Sequence, residues 1–440
     1  MGFGGKEGKP MHGSGRFRNL IFGASSRAAM AALAMAIVCA LTGVFAQSAQ
    51  AQTYTVIYNF TGGQDGAFPY AGVTLDRGGD LYGTTSGPGF GGGVYKLTNQ
   101  QGHWVFSPLY HFTGGMGGAS PYAKVVFGPD GTLYGTATAG GDPTCGQCGV
   151  VFNLRPPAAA VCGARLCPWS ETVLYAFQGG NDGLSPGFGD LVFDQAGALY
   201  GTTGYGGSDC YCGTVYMLTP GGGSWTESVL HRFTYSEGRN PVGGVTFNQA
   251  GNLYGTASVD VRGDGSVFQL SPSGGGWTIT TIHVFRGLSD GGHPISGLIS
   301  DDLGNFYGTT SNDGPNGGGT VFELTPSGGG WAYRVLYSFT AHGFGSAGPH
   351  GNLLIDGAGN LYGTTNATGT HNAGTVFKLT PSGGGWTYTL LHEFTGGSDG
   401  SWPVDGLTMD ARGNLYGTAS GGGASSNCYQ GCGVVFEITP

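Results

Sequence analysis

From Thr53 onward the chain alternates short apolar runs with glycine-rich breaks, and the runs keep the two-residue alternation of strands. Over 331–339, Trp331, Tyr333, Val335, Tyr337 and Phe339 fall on one face, and Ala332, Arg334, Leu336 and Ser338 on the other. Both faces carry apolar bulk, as a sheet packed between two neighbours requires. One unit predicts four strands: a over 352–356, b over 360–365, c over 375–380 and d over 386–394. Asp-x-x-Gly joins a to b, as at 194–197 and 410–413, because Asp accepts turn N–H groups and Gly takes positive φ. Pro-Ser-Gly-Gly-Gly-Trp joins c to d at 272–277, 326–331 and 381–386. A proline precedes every strand a (Pro69, Pro121, Pro186, Pro241, Pro294, Pro349 and Pro403), where a missing N–H is tolerated.

The unit recurs. A Leu/Phe-Tyr-Gly-Thr core returns at Tyr82, Tyr134, Tyr200, Tyr254, Tyr307, Tyr362 and Tyr416, in steps of 52 to 66 residues. Seven four-stranded units of that length predict an all-β, seven-bladed β-propeller. The series opens on a d-type run (54–60) and closes on a c-type run (434–439), so the N-terminal strand should complete the last blade. A ring closed in this way leaves no spare edge to aggregate.

Residues 1–51 differ. Lys6, Lys9, Arg16, Arg18 and Arg27 precede an apolar stretch over 28–46, and Ala49-Gln50-Ala51 supplies a small-x-small cleavage pattern. A cleavable signal peptide is expected over 1–51, ahead of a single propeller over 52–440; a membrane anchor is the alternative. The expected destination is the periplasm, cell surface or medium of a bacterium. Gly (93) and Pro (21) among 440 residues would point to low complexity, but they fall at fixed places between strands. Beyond the leader remain 12 of the 17 basic and 25 of the 26 acidic residues. So acidic a chain is a poor nucleic-acid binder and lacks a basic amphipathic helix for a membrane surface. A monomer with no nucleic-acid or membrane partner is expected.

The string GxLYGTT…GGGTVFxLTPSGGGWxxxVLYSFTGGxDGxxP resembles the GloVer tandem repeats of exported bacterial proteins, and the likeness covers residues 53–440. The resemblance implies a secreted or surface-displayed repeat protein of unassigned activity.

Cys39 lies in the leader, which leaves eight cysteines for an oxidising compartment, where disulfides are the default. Cys162 and Cys167 share a c–d loop and should pair; Cys428 and Cys432, in blade 7, should pair with each other. Cys145, Cys148, Cys210 and Cys212 sit in b–c loops of adjacent blades, and they close locally or link the two blades. Cys145-Gly-Gln-Cys148 also has the spacing of half a zinc or redox site.

No nucleophile elbow, zinc-protease, P-loop or dinucleotide motif is present, and neither a catalytic residue, a metal nor a cofactor is assigned. His111, His231, His283 and His392 read as strand residues. In a repeat, function should sit where a blade departs from its own consensus. At the start of strand a four blades have Gly72, Gly244, Gly297 and Gly406, whereas Lys124, Asp190 and Asn352 replace it in blades 2, 3 and 6. Lys124 and Asp190 should face each other at the channel mouth, as an ion pair or a ligand site. Asp65, Asp182, Glu237, Asp290 and Asp399 occupy matching d–a loop positions, as an acidic ring or as turn chemistry. Tyr70, Tyr122, Phe188 and Trp402 lie nearby for stacking on sugars. The favoured reading is a non-catalytic propeller binding a glycan or protein. A hydrolase or lyase of polysaccharide or lactone is the alternative, and it would need a base, acid and metal constellation that is not evident.

Overall fold

The computed structural model describes residues 1–2, 52–87, 91–157, 169–207, 210–260, 263–341 and 347–440. The expected signal peptide, apart from Met1 and Gly2, and the pair Cys162 and Cys167 lie outside the described residues. Gln52–Pro440 forms one compact unit.

Seven antiparallel four-stranded sheets make a seven-bladed propeller, each with strands in the order a, b, c, d. Blade 1 comprises Thr74–Leu75, Leu81–Thr85, Gly93–Gln100 and His103–His111. Blade 7 takes strands a to c from Thr408–Met409, Leu415–Ala419 and Val434–Thr439, and strand d from Thr53–Asn59. Thr53 pairs with Thr439 and Asn59 with Val434, so the N-terminal strand completes the last blade.

The repeated Leu-Tyr-Gly-Thr is explained residue by residue. Leu81 is fully buried in strand b. The Tyr82 hydroxyl donates to Asp76 of the preceding a–b turn (3.1 Å), and Asp76 also accepts the N–H groups of Gly78 (2.8 Å) and Asp80 (2.9 Å). Gly83 carries no side chain because a Cβ there would press on the ring of Tyr95, the buried aromatic of strand c. Thr84 then donates to the carbonyl of Ala123 in the next blade (3.2 Å), tying blade to blade. In blade 4 Asn248 replaces the turn Asp, and its amide donates to Tyr254 instead (3.2 Å).

Each pre-strand proline packs its ring edge against a glycine at or near the start of strand c of the preceding blade, as Pro69 does on Gly433 and Pro294 on Gly265. Those glycines have φ of 92° in both cases, so a side chain would be doubly excluded.

Two expectations need correction. Strand a is two residues in most blades, Leu354–Ile355 in blade 6 rather than 352–356. At the axis the lead-in backbones touch one another: a Cβ on Gly351 would lie 2.1 Å from the Asp405 backbone, and one on Gly406 2.5 Å from the Asn352 carbonyl. Chain so crowded cannot continue a ladder. Strict alternation in strand d also breaks. In blade 5 Val321 pairs with Tyr337 but Phe322 with Val335, so Leu336 is bulged inward, and every blade repeats the irregularity.

Candidate functional site

The lead-ins to strand a converge on the propeller axis and bring together four polar side chains from four blades. Lys124 Nζ lies 2.9 Å from Asp190 Oδ2, the two side chains being 16% and 21% exposed. From across the ring, Asn352 donates through Nδ2 to the same oxygen (3.2 Å) and accepts the N–H of Gly297 through Oδ1 (2.6 Å). Asp405 accepts the N–H of Gly72 (2.7 Å) and of Gly406 (2.6 Å).

Burial alone would push the Lys124 ammonium down, but the charges of Asp190 and Asp405 outweigh it and hold its pKa above the lysine range. Burial raises the Asp405 carboxyl, Lys124 opposes the rise, and Asp190 adds to it. Two carboxyl groups thus share one ammonium in a tight space.

Asp405 escaped the sequence comparison because blade 7 keeps Gly406 at the compared position. One residue earlier the blades read Ala71, Ala123, Gly189, Gly243, Ser296, Gly351 and Asp405, and only the last is charged. Comparing that position as well would have found it.

Above this cluster, on the face of the b–c and d–a loops, opens an axial cavity of about 510 Å³. Asn352 and Asp405 line it, as do Tyr70, Tyr122, Phe188 and Tyr205. Tyr70 and Tyr122 have ring centroids 5.2 Å apart, and Tyr122 stacks on Phe188 at 5.4 Å, so three blades build one aromatic wall. Phe188 and Tyr205 are about half exposed. Trp402 does not join them; its ring covers Gly421.

The five acidic loop residues do not form a free ring. Asp65 accepts from Tyr58 Oη (3.0 Å), Thr61 N (2.8 Å) and Thr61 Oγ1 (2.6 Å). Asp182 accepts from Tyr175 (2.8 Å) and Gln178 N (2.6 Å), and Asp399 from Thr395 N (2.9 Å). In blades 3, 4 and 6 the strand residue is histidine: His231 Nε2 lies 3.2 Å from Glu237, His283 Nε2 3.0 Å from Asp290, and His392 Nε2 3.4 Å from Asp399. Burial lowers all three imidazoles despite the carboxylates. Each acid therefore clasps its own d–a turn to the strand before it, which is the turn role.

Disulfides Cys145–Cys148, Cys210–Cys212 and Cys428–Cys432 all close locally. Blades 2 and 3 are not cross-linked through them, and Cys145 and Cys148 are bonded to each other rather than open as a zinc half-site. Cys148, Cys212 and Cys432 hold the same blade position, and their carbonyls accept from Ser185, Asn240 and Phe68 at the start of the next blade. Among the described residues no helix is long and apolar enough to cross a membrane.

The family model described as Gloeobacter/Verrucomicrobia repeat matches residues 165–300 and 258–440, and the chain belongs to that family. No curated protein matches the sequence. Among solved structures, the chain is similar to a putative 6-phosphogluconolactonase from Bacteroides fragilis, with 13% identity, TM-score 0.48, and 78% and 95% of the two chains covered. It is also similar to a putative oxidoreductase (glucose dehydrogenase) from Thermus thermophilus, with 16% identity, TM-score 0.43, and 88% and 99% covered. A gluconolactonase from Xanthomonas campestris gives 13% identity, TM-score 0.41, and 71% and 86% covered.

Proposed function

For this member of the Gloeobacter/Verrucomicrobia repeat family, we propose an exported, non-catalytic propeller that binds a glycan in the axial cavity. The observation that carries this reading is the aromatic wall of Tyr70, Tyr122 and Phe188 standing over a polar floor of Asn352 and Asp405. Concave sites of a few hundred cubic ångströms, aromatic on one side with a few fixed polar groups, suit small ligands better than flat protein surfaces. Sugar rings present an apolar face to such aromatics and hydroxyls to the amide and carboxyl groups. Lys124 pairs with Asp190 at 2.9 Å beside the floor. Three loop disulfides support export, since such bonds persist in oxidising compartments.

A glycan array probed with the wild type, Tyr122→Ala, Lys124→Ala and Asp190→Ala tests this. Glycans retained by the wild type and lost by Tyr122→Ala support the axial site. Turnover of a bound saccharide or lactone, abolished in Lys124→Ala or Asp190→Ala, would overturn the non-catalytic reading.

A further inference from the structure

We propose that the cleft between blades 7 and 1, on the face opposite the axial cavity, is a second binding site, for a carboxylate-bearing sugar of an acidic polysaccharide. The cleft has a volume of about 690 Å³. Its walls are the a–b turns at 76–79 and 410–413 and the c–d hairpin of blade 1, and at its base lie Trp104 and Tyr416, ring centroids 5.8 Å apart.

That ring pair is scaffold. Trp225 meets Tyr134, Trp277 meets Tyr200 and Trp386 meets Tyr307 in the same way at other seams. What sets this seam apart is the chemistry around the indole. Arg77 and Arg412 both line the cleft, and none of the other five a–b turns carries a basic residue. Both arginines are exposed, and neither makes an ion pair among the described residues. The adjacent Asp76 and Asp410 are spent on their own turns, through Gly78 N and Tyr82 in one case and Arg412 N and Tyr416 in the other. The blade 1 hairpin departs from consensus too: it reads Asn99-Gln100-Gln101-Gly102-His103-Trp104 where three blades read Pro-Ser-Gly-Gly-Gly-Trp. Asn99 accepts Gly102 N–H through Oδ1 (2.9 Å), which leaves its amide N–H groups to donate.

Only 12 Lys and Arg serve residues 52–440, against 25 acids, and two of the 12 border this one cleft. A guanidinium fork matches a carboxylate in two parallel hydrogen bonds, which a neutral sugar cannot return. The indole supplies an apolar platform for the pyranose ring, and Asn99 a donor for its hydroxyls. A uronate has all three complements. The site involves none of the residues of the axial cavity, so each reading can fail alone.

Isothermal titration of the protein with trigalacturonate tests the proposal, with neutral trigalactose and inorganic phosphate as parallel titrants. Saturable binding of trigalacturonate is expected, weakened at least tenfold in the exposed double variant R77Q/R412Q. Tyr122→Ala should leave that affinity unchanged. Trp104→Phe, which keeps a ring against Tyr416, should weaken it less than R77Q/R412Q does. Absence of trigalacturonate binding, equal affinity in R77Q/R412Q, or equal binding of trigalactose or phosphate would overturn it.

Discussion

The hydroxyl of Tyr307 donates to Asp301 Oδ2 at 3.0 Å, locking strand b of blade 5 to the turn that precedes it. The same oxygen accepts from Asn305 (2.8 Å), while Asp301 Oδ1 accepts two turn N–H groups. These donors outweigh burial and hold the Asp301 carboxyl below the usual range. The most repeated tyrosine in the chain is thus a turn clamp. Tyr307→Phe should cost about 1.5–3 kcal/mol, the usual net value of a hydrogen bond to a charged group. Thermal denaturation should show a drop of a few degrees with no change in ligand binding.

Lys124→Met leaves Asp190 and Asp405 together at the axis without their cation. Breaking a buried pair by removing one partner costs about 3–5 kcal/mol. The Asp405 carboxyl is already raised, and without Lys124 it rises further. A carboxyl whose folded pKa exceeds its unfolded value loses stability as pH rises past about 4. Denaturant titrations should therefore show a larger deficit at pH 7 than at pH 4, and Asp190→Asn in the same background should recover part of it.

Glu227 sits in the outer strand of blade 3, where burial and the nearby Asp182 push its carboxyl up to about 7. Its Oε1 has no hydrogen-bond partner among the described residues. The folded state holds the proton that the unfolded chain releases near pH 4.5, so stability falls as pH climbs from there through about 7. Glu227→Gln should raise the melting temperature at pH 8 and leave it nearly unchanged at pH 4.

Each of the three disulfides spans four residues or fewer in sequence separation, so each constrains only a short loop. The chain-entropy account gives about 2 kcal/mol for loops this small. Reduction should lower the melting temperature while the β-sheet circular dichroism persists. Non-reducing peptide mapping should find Cys145 with Cys148 and Cys210 with Cys212; a peptide joining blades 2 and 3 would refute the local pairing.

Deleting residues 52–60 removes strand d of blade 7 and bares the Val434–Thr439 edge. An unpaired apolar edge recruits other chains. The truncated protein should lose its single cooperative transition and aggregate, as light scattering would report.

Much of this molecule was legible in its sequence. Period, blade count, turn chemistry and the closing strand all follow from residues that repeat, because each blade solves the same packing problem with the same side chains. Lys124, Asp190 and Asn352 were visible as breaks in that repeat. Asp405 was not, since it breaks the pattern one position earlier, where a mixture of Ala, Gly and Ser rather than a majority glycine forms the background. Trp402 looked like part of the stacking set, yet a φ of 57° ahead of Pro403 sends it over Gly421.

The sequence by itself determined a seven-bladed ring sealed by its first strand, because strand periodicity and turn residues are local properties that the chain writes in order. Only the tertiary structure decided which departures meet. Asn352 reaches Asp190 across the axis at a sequence separation of 162 residues, and Arg77 shares a cleft with Arg412 across a seam 335 residues apart in number. Such encounters depend on how seven lead-ins crowd one axis and how neighbouring blades splay. Those are distances between parts of the chain that no local pattern encodes.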